Sequence, residues 1–315
     1  MRPVCCGLMI GLAMMIVLFG SSLADERMKT FTFESVHSIN AQTISGNIRI
    51  CPGNGSKFIV ELKNDLEEPV LLSPEVESDH GELSIAERFT GNTVRGETFW
   101  TVYVPPADSL QRLECHSASG NMSMQKLRVN FIKIVSASGN VLMDSVHTKE
   151  FALSTASGSI DLKGGEADFI QAQSASGEIT ITSVSAKEVE LSTASGSIMV
   201  EDGKIDEQGK MTSASGDIVL HLPHLPSDRL EAASASSDVI LKVPEFGVNF
   251  SMTLMKRADK GRIRCPFEYT EKATIRYHEM DDYLTDRFIV KRGKGGPEIK
   301  LVTASGTIKI ETDIK

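Results

Sequence analysis

Serine and threonine side chains recur through this 315-residue chain inside a six-residue phrase, and each is a potential nucleophile. A nucleophilic hydroxyl needs a base held beside it. No histidine or carboxylate keeps a fixed offset from the phrase, and a catalytic residue is normally used once. The hydroxyls are therefore predicted to be structural. We predict no catalytic and no cofactor-binding residue in this chain.

Three carboxylates in different repeats could together form a glycan-cleaving site, namely Asp161, Glu178 and Asp217. Such a site needs two carboxyl groups that converge to within about 5 to 10 Å. Repeats of about 19 residues have no long loops that could form the sides of a substrate-binding cleft. The chain is therefore predicted not to be an enzyme, and a carbohydrate-active enzyme is the lesser alternative.

Two other patterns resemble metal ligands. The residue after the repeated glycine often carries oxygen, and stacked Asp and Glu oxygens can bind calcium, but serines interrupt the carboxylates here. His221 and His224 stand in a proline-restricted turn without a third ligand nearby. We expect a polar turn ladder and an irregular loop, and no metal or cofactor.

The phrase itself, Ser/Thr-Ala-Ser-Gly followed by a polar and an apolar residue, returns at almost even intervals. Copies lie at 117–122, 136–141, 155–160, 174–179, 193–198 and 213–218, with degenerate copies at 234–239 and 303–308 and a half-match at 43–48. Its glycines are Gly120, Gly139, Gly158, Gly177, Gly196, Gly216 and Gly306. The first five are 19 residues apart and Gly216 follows after 20. Such regularity indicates a stack of identical units, none of which can bury its apolar face alone.

Each repeat contains two alternating segments of opposite parity. Val189 and Leu191 share one side before the glycine, and Ile198 and Val200 share one side after it. A corner must separate two such inward-facing strands, and we expect the glycine there to adopt dihedral angles that other residues resist. A third short stretch closes the coil, and coils stack about 4.8 Å apart. This predicts an all-β fold, a single-stranded right-handed parallel β-helix or solenoid. The alternative is an antiparallel sandwich of hairpins, which a fixed 19-residue spacing disfavours.

The chain is expected to form one structural domain over 25–315, after a signal peptide at 1–24 with an apolar core and a small-residue cleavage site. Irregular β segments at 25–112 cap the regular repeats of 113–243, and an insertion at 244–298 precedes the final coil at 299–315. The mature protein is then exported to the periplasm, the cell surface or the medium, without an integral membrane span.

The net charge of −9 argues against a nucleic-acid partner, which needs a basic surface. A basic cluster, interrupted by Asp259, is interpreted as a solvated edge; it comprises Lys256, Arg257, Lys260, Arg262 and Arg264.

Three cysteines remain after signal cleavage. Cys115 is expected in the core, and Cys51 with Cys265 is the pair that a disulfide would join.

One row on the second strand of the repeats is apolar where a solvent-facing residue should be polar. Its members are Leu142, Met199, Val219 and Ile240. Scattered surface hydrophobics explain such a row without any function. Alternatively, this is an interaction face covered by residues 244–298 or by another subunit.

The phrase, together with Val102–Pro106 and the closing 300–306 segment, resembles the putative-adhesin (DUF4097) β-strand-repeat family and its relatives, the head-domain adhesin-like proteins. The resemblance implies a bacterial, exported, β-helical and usually non-enzymatic protein. We therefore expect an adhesin-like binding or structural module of the cell envelope, with a surface glycan or an envelope protein as partner. The alternative is an envelope-sensing or scaffold protein that acts through a protein partner.

Overall fold

The computed structural model describes residues 27–67, 72–90, 95–106, 109–244, 247, 249–276 and 283–312. Regular structure in these residues consists of β-strands, and none of them belongs to a helix that could cross a membrane. The predicted signal peptide lies outside the described residues.

Twenty-five strands follow one another along the described chain. They are β1 Met28–Phe33, β2 Ser38–Thr43, β3 Asn47–Pro52, β4 Phe58–Asn64, β5 Leu72–Asp79, β6 Glu82–Phe89, β7 Thr98–Val104, β8 Leu110–Ser117, β9 Met122–Gln125, β10 Arg128–Ser136, β11 Val141–Thr155, β12 Ile160–Ser174, β13 Ile179–Thr182, β14 Ser185–Thr193, β15 Ile198–Glu201, β16 Lys204–Ser213, β17 Ile218–His221, β18 Arg229–Ser234, β19 Val239–Lys242, β20 Phe250–Arg257, β21 Arg262–Arg264, β22 Glu271–Ile275, β23 Thr285–Arg292, β24 Glu298–Thr303 and β25 Thr307–Glu311.

Two ladders of parallel strands run along the repeats. The first ladder joins β8, β10, the second half of β11, the second half of β12, β14, β16 and β18. The second ladder joins β9, the first half of β11, the first half of β12, β13, β15, β17 and β19. Equivalent residues of successive repeats pair directly, as Ile134 does with Leu153. The predicted parallel β-solenoid is confirmed, and the antiparallel sandwich is wrong.

Inward-facing residues of both ladders form one continuous core. Ile134, Leu153, Ile160 and Leu191 are almost fully buried, as the alternation of the sequence predicts. Cys115 pairs with Ile134 at the same inward position and is also buried, which confirms its predicted place. The sheet faces away from this core carry the side chains that are available for function.

The chain does not stack in sequence order at its amino-terminal end. The coil β2–β3 lies between β8–β9 on one side and the later coil β6–β7 on the other. Antiparallel strands close the end beyond it: β5 pairs with β6, β4 with β7 and β1 with β4. The first coil of the chain is therefore an interior coil, and a solenoid edge that could pair with other chains is covered.

The carboxyl-terminal end repeats this arrangement. The last coil, β24–β25, lies between β18–β19 and the earlier coil β20–β21. Strands β23 and β22 continue from β20 as antiparallel strands. The insertion thus pairs beyond the final coil, at the end of the stack. Its described strands do not lie across the predicted interaction face.

This arrangement corrects two expectations. Cys51 lies on β3, near the amino-terminal end, and Cys265 follows β21 at the opposite end, so the whole repeat region separates them. All three described cysteines are free, and the suspected disulfide is wrong. The interpretation of the basic cluster as a solvated edge is wrong for Lys256. Only 13% of its side chain is exposed, and its ammonium pairs with the Asp286 carboxylate at 2.8 Å.

Candidate functional site

The first hydroxyl of each phrase is buried and holds its corner together. Thr193 Oγ1 accepts the N–H of Gly196 at 3.0 Å and donates to the Gly177 carbonyl of the preceding coil at 3.5 Å. The same N–H bond recurs in the copies that begin at Ser117, Ser136, Thr155, Ser174, Ser213, Ser234 and Thr303. These hydroxyls already have partners inside the fold, which confirms their predicted structural role.

The corner glycines are required by the neighbouring coil. A Cβ on Gly158 would overlap the carbonyl oxygen of Gly139, and each other phrase glycine meets the coil before it in the same way. None of these described glycines has a positive φ. The expectation of unusual dihedral angles is therefore wrong. The glycine corners stack so closely that a Cβ would overlap the neighbouring carbonyl, and Ser237 is the one residue with a side chain at this position among the copies from 117 to 308.

The residue after the glycine forms a hydrogen-bond ladder of its own. Asn121 Oδ1 accepts the N–H of Asn140 at 2.9 Å, and Asn140 Oδ1 accepts the N–H of Ser159 at 2.9 Å. Asp217 and Asp238 bond the following coils in the same way. These side-chain oxygens accept hydrogen bonds from backbone N–H groups of the next coil, in agreement with the predicted polar turn ladder.

The candidate acid and metal ligands are dispersed. Asp161 lies in another row from Glu178 and Asp217 and pairs with Lys163 at 3.2 Å. Glu178 and Asp217 are two coils apart, or about 9.6 Å at the usual strand spacing. His221 ends β17, whereas His224 lies in the turn, 4.0 Å from Asp206. In the part of the chain that the structure describes, no three His, Cys, Asp or Glu side chains form a potential metal site.

A shallow trough of about 610 Å³ runs along the outer side of the corners. One wall is a row of polar side chains at the ends of the first-ladder strands, namely Ser154, Gln173, Ser192 and Thr212. The other wall consists of corner alanines, namely Ala175, Ala194, Ala214 and Ala235. All lining residues are uncharged. The trough therefore suits a long, uncharged, polar ligand that lies parallel to the stack.

The four polar side chains of the trough are available to a ligand. Among the described residues, none of them has a hydrogen-bond partner within the protein. Their spacing of 19, 19 and 20 residues follows the repeat. They were not predicted from the sequence, because each lies immediately before the repeated phrase and not within it.

The predicted interaction face is a single row on the second ladder. Met199, Val219 and Ile240 are adjacent in consecutive coils, and Asp161 and Thr180 separate them from Leu142. All four apolar side chains are partly exposed. Lys309 continues the row after Ile240. The apolar run therefore spans three coils and ends at a cation.

The chain matches a known protein family over most of its length. A family model described as Toastrack DUF4097 matches residues 38–260. No curated protein matches the sequence.

Solved structures share the fold at low identity. A putative adhesin from Parabacteroides merdae is 14% identical, with a TM-score of 0.52 over 91% of this chain and 95% of that one. A putative lipid binding protein from Parabacteroides distasonis is 17% identical, with a TM-score of 0.53 over 92% and 97%. A putative adhesin from the same organism is 16% identical, with a TM-score of 0.51 over 90% and 95%.

Proposed function

Because the chain belongs to the Toastrack DUF4097 family, we propose that it is an exported, non-catalytic binding module of the bacterial cell envelope. Its ligand would be a surface glycan or a similar polar chain, bound along the first ladder. The observation that carries this proposal is the uncharged trough, with four unpartnered polar side chains in register along the stack. Each contact is weak, but contacts repeated along one chain add up to useful affinity.

Several features support a binding role over catalysis. The hydroxyls that recur in every coil are engaged in the corner. Two of the carboxylates considered for hydrolysis are also engaged, since Asp161 pairs with Lys163 and Asp217 accepts the N–H of Asp238. The trough is open along its length and has no charged group that could act as acid or base. A surface of this kind can hold a polymer without changing it.

Binding is tested by affinity electrophoresis of the mature protein in gels that contain single neutral polysaccharides. Ala194→Arg places a long charged side chain in the trough at an exposed position, and Ala137→Arg is the matched control at the same corner position outside it. We expect at least one polysaccharide to retard wild type and Ala137→Arg, but not Ala194→Arg. Equal retardation of both variants, or none for wild type, contradicts the proposal.

Export is tested separately by protease treatment of intact source cells. Degradation of the protein from outside places it on the surface and supports adhesion. Protection until the envelope is opened places it internally and favours a scaffold role.

The scaffold alternative depends on the apolar run Met199, Val219 and Ile240. Burial of these side chains against a partner would be favourable, since each is only partly covered by its own chain. The double variant Met199→Glu/Ile240→Glu should dissociate a complex isolated from source cells. Thr180→Glu, in the same row beside Met199, is the control. Unchanged complex formation by the double variant would rule this alternative out.

A further inference from the structure

A second row on the first ladder alternates aromatic and charged side chains. Its order along the stack is Arg112, Phe131, Glu150, Phe169 and Glu188. Both phenylalanines are half-buried outward residues that do not belong to the apolar core. Glu150 and Glu188 are exposed. The row lies at the opposite end of the strands from the trough.

The structure already shows a cation on one of these rings. The Arg112 guanidinium carbon lies 4.3 Å from the centroid of the Phe131 ring. Arg112 is one coil before Phe131, and Glu150 is one coil after it. A face of Phe131 therefore points along the stack, and its opposite face points toward the space above Glu150.

The spacing of the row fits a second cation at that place. Phe131 and Phe169 are two coils apart, so their strands are separated by about 9.6 Å. A cation above Glu150 would lie about 4.8 Å from each strand position, within the roughly 6 Å over which an aromatic face attracts a cation. Glu150 would supply the opposite charge between the two rings.

Glu150 is available for such a contact. In the described residues it forms no ion pair, even with its sequence neighbour Lys149. Lys133, in the adjacent row, faces another carboxyl, that of Glu114. Burial raises the pKa of Glu114, but the hydrogen bond and charge of Arg112, with the charge of Lys133, hold that pKa below its ordinary value. Ala152 follows Glu150 on the outer face and ends at Cβ, which leaves the approach open.

We infer that Phe131, Glu150 and Phe169 form a binding site for a cationic side chain, an arginine or lysine, of a protein partner. The occupant would complete the pattern that Arg112 begins, with a cation on each side of Phe131. Charge complementarity supports this partner, since the open position is a carboxylate on a protein of net charge −9. The inference goes beyond the proposed function, because it concerns another part of the face and another ligand chemistry.

The test uses the mature protein with ring-labelled phenylalanine, observed by NMR. The probes are the peptide Ac-Ala-Arg-Ala-amide and its citrulline analogue, which has the same shape without the charge. We expect the arginine peptide to shift the Phe131 and Phe169 ring signals with millimolar affinity, and the citrulline peptide to leave them unchanged. Phe131→Leu and Phe169→Leu should each weaken binding about two- to fivefold. Glu150→Gln should weaken it and reduce its dependence on salt.

Phe99→Leu is the matched control, because Phe99 is an outward phenylalanine, 42% exposed, whose row neighbours are Asn47 and Lys63 and not carboxylates. It should bind the peptide as wild type does. Thermal unfolding of each variant confirms that the fold is intact. Equal binding of both peptides, or binding unaffected by Phe131→Leu and Phe169→Leu, overturns the inference. Binding of phosphatidylcholine vesicles in preference to the arginine peptide overturns it as well and would assign the rings to a quaternary ammonium headgroup.

Discussion

Glu87 and Lys256 stand at opposite ends of one column of corners and cap it with opposite charges. Corner N–H groups point toward the amino-terminal end of the stack, as the bond from Ala137 to the Ser117 carbonyl shows. Glu87 is in register with Thr43, the first residue of its phrase, and lies one coil nearer the amino-terminal end of the stack. One of its carboxylate oxygens accepts the N–H groups of Ile44, Ser45 and Gly46 at 2.8, 3.1 and 3.1 Å.

Lys256 is in register with Thr303, the first residue of the last phrase, and lies one coil nearer the carboxyl-terminal end of the stack. At this end no further coil of the described residues supplies N–H groups to the corner carbonyls. Its ammonium donates to the carbonyls of Arg257, Ala258 and Lys260 at 3.1, 3.3 and 3.3 Å. The column of corners thus has the polarity of a helix, and each end receives the charge that satisfies its unpaired groups.

Removal of either cap should destabilise the protein. Glu87 is buried, so Glu87→Ala leaves three N–H groups without an acceptor and should cost about 4 kcal/mol in the free energy of unfolding. Lys256→Met keeps the apolar stem but leaves the Asp286 carboxylate without its ion-pair partner, and should cost about 2 kcal/mol. Urea unfolding measures both. The exposed pair Lys187 and Asp168 provides the control, since Lys187→Met should change stability by less than about 1 kcal/mol. Equal effects of the two lysine substitutions would disprove the capping role of Lys256.

The corner glycines of the regular repeats should tolerate a side chain poorly. Gly158→Ala forces the Cβ into the Gly139 carbonyl, so the coils must separate locally, and we expect a loss of about 2 to 3 kcal/mol in the free energy of unfolding. Gly55→Ala is the control, because a Cβ there meets open space. Thermal and urea unfolding compare the two. Near-native stability of Gly158→Ala would show that close stacking is not the reason for the glycine.

The final coil should determine whether the carboxyl-terminal cap folds. Strand β20 pairs with β24 and β21 with β25, so the cap reaches the repeats through residues 298–311. Deletion of residues 298–315 should abolish hydrogen-exchange protection in strands β20 and β23 while 129–193 stays protected. Deletion of 313–315 alone is the control. Protection of β20 and β23 in the longer deletion would mean that the cap docks by other contacts.

The ion pair in the carboxyl-terminal cap should make stability depend on acid pH. Hydrogen bonds from Lys256 and Thr274 hold the pKa of Asp286 below its ordinary value. A carboxyl whose pKa is lowered by folding stabilises the protein above its unfolded pKa of about 3.9, and this contribution is lost as the pH falls through the folded pKa. Asp286→Asn should therefore be less stable than wild type at pH 7, by a margin that shrinks at pH 3. Urea midpoints at the two pH values measure it, and a constant margin would contradict it.

The three cysteines of the described residues should remain free thiols of unequal reactivity. Burial raises the pKa of Cys115 to about 12, so its thiol stays protonated at pH 8. Burial also raises the pKa of Cys51 and Cys265, but Cys265 is only partly buried. Alkylation of the native protein with iodoacetamide should modify Cys265 first and Cys115 last, as peptide mass spectrometry can follow. A linked Cys51–Cys265 peptide would contradict the described fold.

The regular part of the fold could be predicted from the sequence because it depends on local periodicity. The interval between Gly139 and Gly158 gives the length of a coil, and the change of parity after Gly196 places a corner. Inward positions such as Ile134 and Cys115 follow from the same alternation, and burial confirms them. These features depend on residues close together in the chain, so their pattern is readable without any neighbour in space.

The ends and the surfaces could not be predicted in this way, because they depend on which coils become neighbours. Only the tertiary structure places the last coil between two earlier ones and separates Cys51 from Cys265. It also gives the reason for the phrase glycine, which is a carbonyl one coil away and not the dihedral angles of the residue itself. Phe131, Glu150 and Phe169 do share the 19-residue spacing in the sequence, but only stacking brings an unpaired carboxylate between two rings. Local sequence thus determines the shape of one coil, and contacts between distant segments determine the order of the coils and the chemistry of their outer faces.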